Sequence, residues 1–196
     1  MEENFYLLKI KLIGIEPTIW RRFVVPLNIT LDRLHDVIQI VMGWTDSHLH
    51  EFTIENKRYT EYPESVEDGL HCGRYQLGDL IKQKGRTFHY LYDFGDSWEH
   101  KLVLEENRYS NSKLRMDLTC LEGERACPPE DVGGVSGYFE FCEALKDPEH
   151  EEHESYMAWS GGDYDSELFD ANTVNCELIK YFRWSRNRHQ YWKVNF

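Results

Sequence analysis

Residues 88–106 read FHYLYDFGDSWEHKLVLEE, and their alternation decides the fold class. Phe88, Tyr90, Tyr92 and Phe94 share one parity, while His89, Leu91 and Asp93 share the other. After Asp93–Ser97 the pattern resumes with Trp98, His100, Leu102 and Leu104. A period of two marks strands whose two faces meet different surroundings. Between the runs, Gly95 offers a permissive backbone and Asp93 and Asp96 offer carboxylates that cap loop amides. The spacing predicts an antiparallel hairpin whose register is set by a tight turn.

Strands of the same kind lie upstream. In Phe5–Glu16, Leu8, Ile10, Leu12 and Gly14 fall on one parity and Lys9 and Lys11 on the other, before Pro17 interrupts. Ile19–Val25 predicts a second strand, closed by Pro26 and antiparallel to the first through a reversal at Glu16–Thr18. Thr30 then starts a helix over Leu31–Met42, with Leu31, Leu34, Val37, Ile38, Val41 and Met42 in one apolar stripe and Gly43 ending it. If His48–Phe52 is a strand, His48 and His50 point the same way. Tyr59–Gly73 reads as irregular, and Leu77–Ile81 as a turn or two of helix.

Downstream, Leu114–Leu118 predicts a short strand and Thr119–Gly137 a long ordered loop. Tyr138–Leu145 reads as an amphipathic helix ended by Pro148. A second helix runs to Trp159, and Ser160–Asp163 is a turn. A last helix begins near Asn172 or Thr173 and carries Val174, Leu178, Tyr181 and Phe182 on one side. Together these predict an α+β fold, a mostly antiparallel sheet with helices packed on it, in a single domain over residues 1–196.

With 22 Lys and Arg against 35 Asp and Glu, the chain carries a formal charge of −13. Such a surface repels phosphate backbones and anionic membranes. Asp117–Asp170 has only Arg125 and Lys146 as cations, whereas Ala171–Phe196 holds Lys180, Arg183, Arg186, Arg188 and Lys193. A basic last helix seated against an acidic neighbour follows from that asymmetry. No apolar run approaches the ~20 residues of a membrane span, and the first residues lack a secretory h-region. Five scattered cysteines predict reduced thiols in the cytoplasm.

The stretches IWRRFVVP, TLDRLHDVIQIVMGWTDSHLHEF, YLYDFGDSWEHKL and ERACPPEDVGG followed by GY resemble the plasmid pRiA4b ORF-3-like proteins. The motifs arrive in that family's order and cover most of residues 5–175. The resemblance implies helices on a mostly antiparallel sheet and little chemistry, since the family is a domain of unknown function; some members are labelled accessory proteins of mobile elements. Its signature positions here are Trp20, Arg21, Arg22, His35, Gly43, Trp44, His48, His50 and Phe52. The hairpin adds Tyr92–Asp96, Trp98 and His100. The later loop adds Cys127–Asp131, Gly133, Gly134, Gly137 and Tyr138. Many members carry a cysteine after the Glu-Asp pair, where this chain has Val132.

These polar residues admit two readings. In one, His48, His50, Asp93 and His100 hold a divalent metal, and Glu130, Asp131 or Asp96 acts as a catalytic base in hydrolysis. In the other, Asp93 and Asp96 cap a turn, His100 is hydrogen-bonded to one of them, and Glu130–Asp131 caps the helix after Gly137 or pairs with Arg21 or Arg22. Neither HExxH nor paired CxxC occurs, and no glycine-rich phosphate loop implies a nucleotide. Trp44, Tyr92 and Trp98 are candidates for a ligand or partner surface. The function expected is a binding or scaffold module for a protein or small-molecule partner. Alternatives are a metal-dependent hydrolase and a DNA-associated accessory protein using the basic last helix.

Overall fold

The structure, a computed structural model, describes residues 5–65, 67–110 and 117–184, with side chains through Tyr181. In chain order the strands are β1 (Phe5–Leu12), β2 (Trp20–Pro26), β3 (His50–Ile54), β4 (Lys57–Thr60), β5 (Leu70–His71), β6 (Thr87–Tyr92), β7 (Trp98–Tyr109) and β8 (Thr119–Glu124). The helices are α1 (Leu31–Met42), α2 (Leu77–Leu80), α3 (Gly134–Lys146), α4 (His153–Trp159) and α5 (Ala171–Trp184). One sheet orders the strands β5-β4-β3-β6-β7-β1-β2-β8. Every pairing is antiparallel except β4 with β5. The fold is α+β.

The hairpin β6–β7 lies in the middle of this sheet, with Tyr92 opposite Trp98, Tyr90 opposite His100 and Phe88 opposite Leu102. Neighbouring strands extend these rows, placing His50 beside Tyr92, Phe52 beside Tyr90 and Leu12 beside His100. The apolar parity thereby becomes one continuous face, and α1 covers it. All six residues of the predicted stripe are buried. His35 and Gln39 are buried among them, and Gly43 ends the helix at φ 104°, a left-handed conformation natural to glycine. On the opposite face, among the described residues, lies a small cluster of Phe5, Leu7 and Val24 with Tyr109 and Leu121. No helix of the described residues is long and apolar enough to cross a membrane.

Several elements differ from the sequence reading. Thr119–Gly137 is not all loop: its first six residues are strand β8. The glycine that disguised it is required, because a Cβ on Gly123 would lie 2.7 Å from the Trp20 carbonyl oxygen. Helix α3 begins at Gly134, four residues before the expected Tyr138. The region read as irregular from Tyr59 contains the end of β4 and all of β5. β3 and β4 turn on Glu55 and Asn56, both at positive φ, a hairpin the sequence reading lacks. Phe94 does not share the face of Tyr92; strand β6 has ended, and the ring is exposed. The expected Leu114–Leu118 strand falls largely on 111–116, and the end of the basic helix on 185–190, both outside the described residues.

Arg21 and Asn175 are among the side chains that join β8 to its surroundings. The buried Arg21 guanidinium donates to the carbonyls of Val41, Trp20, Glu124 and Arg125 at 2.8–2.9 Å. It also lies 4.2 Å over the Phe169 ring. Arg21 therefore does not pair with Glu130–Asp131, and Arg22 instead meets Glu105 and Glu122. On α5, Asn175 accepts the Cys120 N–H and donates to the Cys120 carbonyl, both at 2.8 Å.

Candidate functional site

Three segments distant in sequence meet at one end of the central hairpin: residues 44–49 after α1, the Asp93–Ser97 turn, and the loop 127–133 before α3. Tyr92 joins the first to the last. Its hydroxyl accepts the amides of Ser47 and His48 at 2.9 and 3.3 Å and donates to Glu130 Oε1. The other oxygen, Glu130 Oε2, accepts the Thr45 amide and hydroxyl. Trp44 packs tilted against Tyr92, with ring centroids 4.9 Å apart, and donates its indole N–H to the Pro128 carbonyl at 3.0 Å. Burial and the Glu130 carboxylate together push the Tyr92 phenol well above its usual pKa, so it remains a donor.

The turn is tied to the same loop. Asp93, at φ 57°, accepts the Gly95 amide at 2.8 Å, and Asp96 accepts the Gly133 amide at 3.1 Å. Gly134 sits where a Cβ would lie 2.6 Å from the Asp96 carbonyl oxygen. Asp96 is thus a strut between turn and loop.

This scaffold brings His48, Asp93 and Asp131 together. His48 Nε2 lies 3.1 Å from Asp131 Oδ1 and 3.6 Å from Asp93 Oδ2, and one donor atom from each residue falls within 4.8 Å of the others. The imidazole nitrogen is shielded from solvent yet makes no directed hydrogen bond. Its short approach to Asp131 falls outside hydrogen-bond geometry. Ligands bonded at 2.0–2.2 Å to one tetrahedral divalent ion lie about 3.3–3.6 Å from each other, close to the two distances from His48 Nε2. One imidazole and two carboxylates form a donor set for Zn, Mn or Fe.

The other expected site residues lie elsewhere. His50 is 1% exposed and stacks on His35, with ring centroids 3.6 Å apart and planes 8° apart. Burial, with His35 beside it, pushes its pKa down to about 3. His100 is fully buried, edge-on to Trp44 at 5.2 Å, with Nδ1 3.3 Å from the Tyr90 carbonyl. Neither joins the His48 trio within 4.8 Å. Tyr92 and Trp98 are buried and Trp44 nearly so, which corrects the expectation that they present a partner surface. Exposed beside the trio are Leu49 and Phe94, while Trp44 contributes an edge to a cleft of about 360 Å³ with Pro128, Glu130, Trp159 and Tyr164.

Sequence reasoning did not find the chemistry around His35 beyond its place among the family's residues. His35 Nε2 lies 2.8 Å from Asp46 Oδ1, and Nδ1 lies 2.7 Å from the Tyr90 hydroxyl. Gln39 donates to that hydroxyl at 2.9 Å and accepts the Asp46 amide at 3.0 Å. The contact with His35 holds the Asp46 carboxyl below its usual pKa. The available signal was His35 and Gln39 at i and i+4 within the buried stripe of α1.

The family model for plasmid pRiA4b ORF-3-like protein matches residues 4–173. Uncharacterized protein y4hQ of Sinorhizobium fredii (strain NBRC 101917 / NGR234) is 44% identical over 171 residues, covering 86% of this chain and 87% of its own. The crystal structure of a protein of unknown function, MM3350 from Methanosarcina mazei Go1, superposes with a TM-score of 0.79 at 39% identity, over 88% of this chain and 98% of that one. By the family model and by the extent of these similarities, the chain belongs to the plasmid pRiA4b ORF-3-like protein family.

Proposed function

We propose that the protein is a binding module that presents a divalent-cation clamp, His48–Asp93–Asp131, on the rim of its sheet. The observation that carries this reading is the approach of His48 Nε2 to two carboxylates at 3.1 and 3.6 Å. Leu49 and Phe94, exposed beside the clamp, supply apolar surface for whatever the cation helps to hold. Cytoplasmic placement is part of this proposal and rests on the five cysteines read as reduced thiols.

Binding is favoured over hydrolysis by the state of the candidate bases. Both Glu130 oxygens are occupied by Tyr92 and Thr45, and Asp96 braces Gly133. A general base needs an oxygen free to reach a metal-bound water. Glu130 fails that condition, Asp96 is held to Gly133 through Oδ2, and Asp131 belongs to the clamp.

Calorimetric titration of untagged protein with Mn²⁺ and Zn²⁺ tests the reading. Saturable one-to-one binding that is abolished in Asp131→Asn and His48→Ala supports it. No saturable heat and no thermal shift, or binding unchanged in both variants, would reduce the trio to a surface ion pair and end the proposal.

A further inference from the structure

A second cleft, of about 300 Å³, opens between the first turns of α1 and strand β3. Asp32, Asp36, Asp46 and Glu61 supply its carboxylates, Arg33 its cation, and His35 and His50 its buried wall. Arg33 is already engaged, with Asp36 at 3.1 Å and the Tyr181 hydroxyl at 3.4 Å. The cleft therefore presents net negative charge to a ligand. His50 provides the independent sign of one. It is nine-tenths buried and more, and neither ring nitrogen has a hydrogen-bond partner among the described residues. Buried polar atoms without partners are rare in folded proteins.

The geometry argues against a metal chelated by the two histidines. Their rings are parallel and 3.6 Å apart, so their in-plane lone pairs run side by side and do not converge on one ion. His35 has no lone pair to give. The Asp46 amide can only donate, so the Gln39 group facing it is the carbonyl and the Gln39 amide faces Tyr90. The Tyr90 oxygen accepts from Gln39 and its hydrogen goes to His35 Nδ1, which leaves the proton of His35 on Nε2, directed at Asp46. Nor does a bare ion fill a space of this size, which is at the lower end for small organic ligands.

We propose that this cleft binds an organic cation bearing N–H donors, an alkylammonium or guanidinium group, which donates to the unpartnered, solvent-shielded nitrogen of His50 and to the carboxylates of Asp46 and Glu61. Free polyamines and basic peptide side chains share this chemistry. The site uses none of the clamp residues and stands or falls independently of the clamp.

The test is calorimetry on the full chain in about 150 mM salt, where attraction to the general acidic surface is screened. The probes are spermidine, acetyl-arginine amide and tetraethylammonium, which has charge but no N–H. Saturable binding of spermidine or the arginine amide, without binding of tetraethylammonium, is the expected result, and the tighter of the two names the source. His50→Phe, which keeps a ring in the stack, and Glu61→Gln each weaken binding by about tenfold or more, as loss of a charge-assisted hydrogen bond does. Glu61 lines the cleft and is half-buried, so its variant serves if His50→Phe does not fold. His48→Ala leaves this binding intact. Equal binding of tetraethylammonium, displacement by Mn²⁺, absence of saturable heat, or unchanged affinity in Glu61→Gln would each overturn the proposal.

Discussion

The Tyr92 hydroxyl and the Glu130 carboxylate form a joint between the central hairpin and the loop before α3. Because the same hydroxyl receives the amides of Ser47 and His48, one phenol positions the backbone that carries the His48 imidazole.

Tyr92→Phe keeps the ring against Trp44 and removes only this joint. We expect a loss of about 1–3 kcal/mol in unfolding free energy, the cost of leaving buried polar groups unpaired. Mn²⁺ affinity at the proposed clamp should fall as well. Urea titration reads the first effect and calorimetry the second; unchanged values in both would dissociate the hydroxyl from the rim.

Gly137 has no room for a methyl group, since a Cβ there would lie 2.0 Å from the Val132 carbonyl oxygen. Gly137→Ala must shift the start of α3 and is expected to cost about 1–3 kcal/mol, as overpacking generally does. Ser136→Ala, exposed on the same turn, is the control and should change stability by no more than about 0.5 kcal/mol.

Arg21→Lys keeps the charge but not the planar fork that reaches four carbonyls. We expect a loss of about 2–4 kcal/mol, because a lysine cannot satisfy the same acceptors from one point. In a chain of this size each kcal/mol lowers the melting temperature by roughly 2–4 °C. A melting temperature equal to that of the parent would show that the fork is dispensable.

His100 makes stability depend on pH. Burial lowers its pKa to about 3 in the folded chain, whereas the unfolded chain protonates near the ordinary value of about 6.5. The unfolded state thus binds more protons below about pH 6.5. The contribution of this residue is intact above that pH and declines towards pH 3 by about 1.4 kcal/mol per unit. Urea midpoints at several pH values should show this slope in the parent and a correspondingly shallower one in His100→Leu. Equal slopes would mean that His100 does not titrate in this way.

The parts of the fold that could be read in advance are those where one physical rule acted alone. The apolar stripe of Leu31–Met42 and the parity of Phe88–Leu104 each follow from a single face meeting a single neighbour. Strand β8 was hidden because Gly123 answers to a close approach by β2, a constraint that lives on another strand. The trio of His48, Asp93 and Asp131 was only partly visible for the same reason. The residues were recognisable, but which ones meet depends on how Tyr92 and Glu130 draw two loops together. His48 and His50 share a parity in sequence, yet His48 precedes strand β3 and His50 opens it, and their rings have different neighbours.

Asn175 has a consequence for how the molecule can be approached. Its amide takes both hydrogen-bonding groups of Cys120, so a helix side chain imitates the next strand at the outer edge of β8. An extended peptide cannot lengthen the sheet at that point without first evicting this imitation. At the far edge, β5 is only two residues long. Asn175→Leu should therefore reopen a template for self-association, visible as concentration-dependent light scattering that the parent lacks. At Cys120 the β8 margin is thus closed to recruitment by a side chain of the protein's own helix.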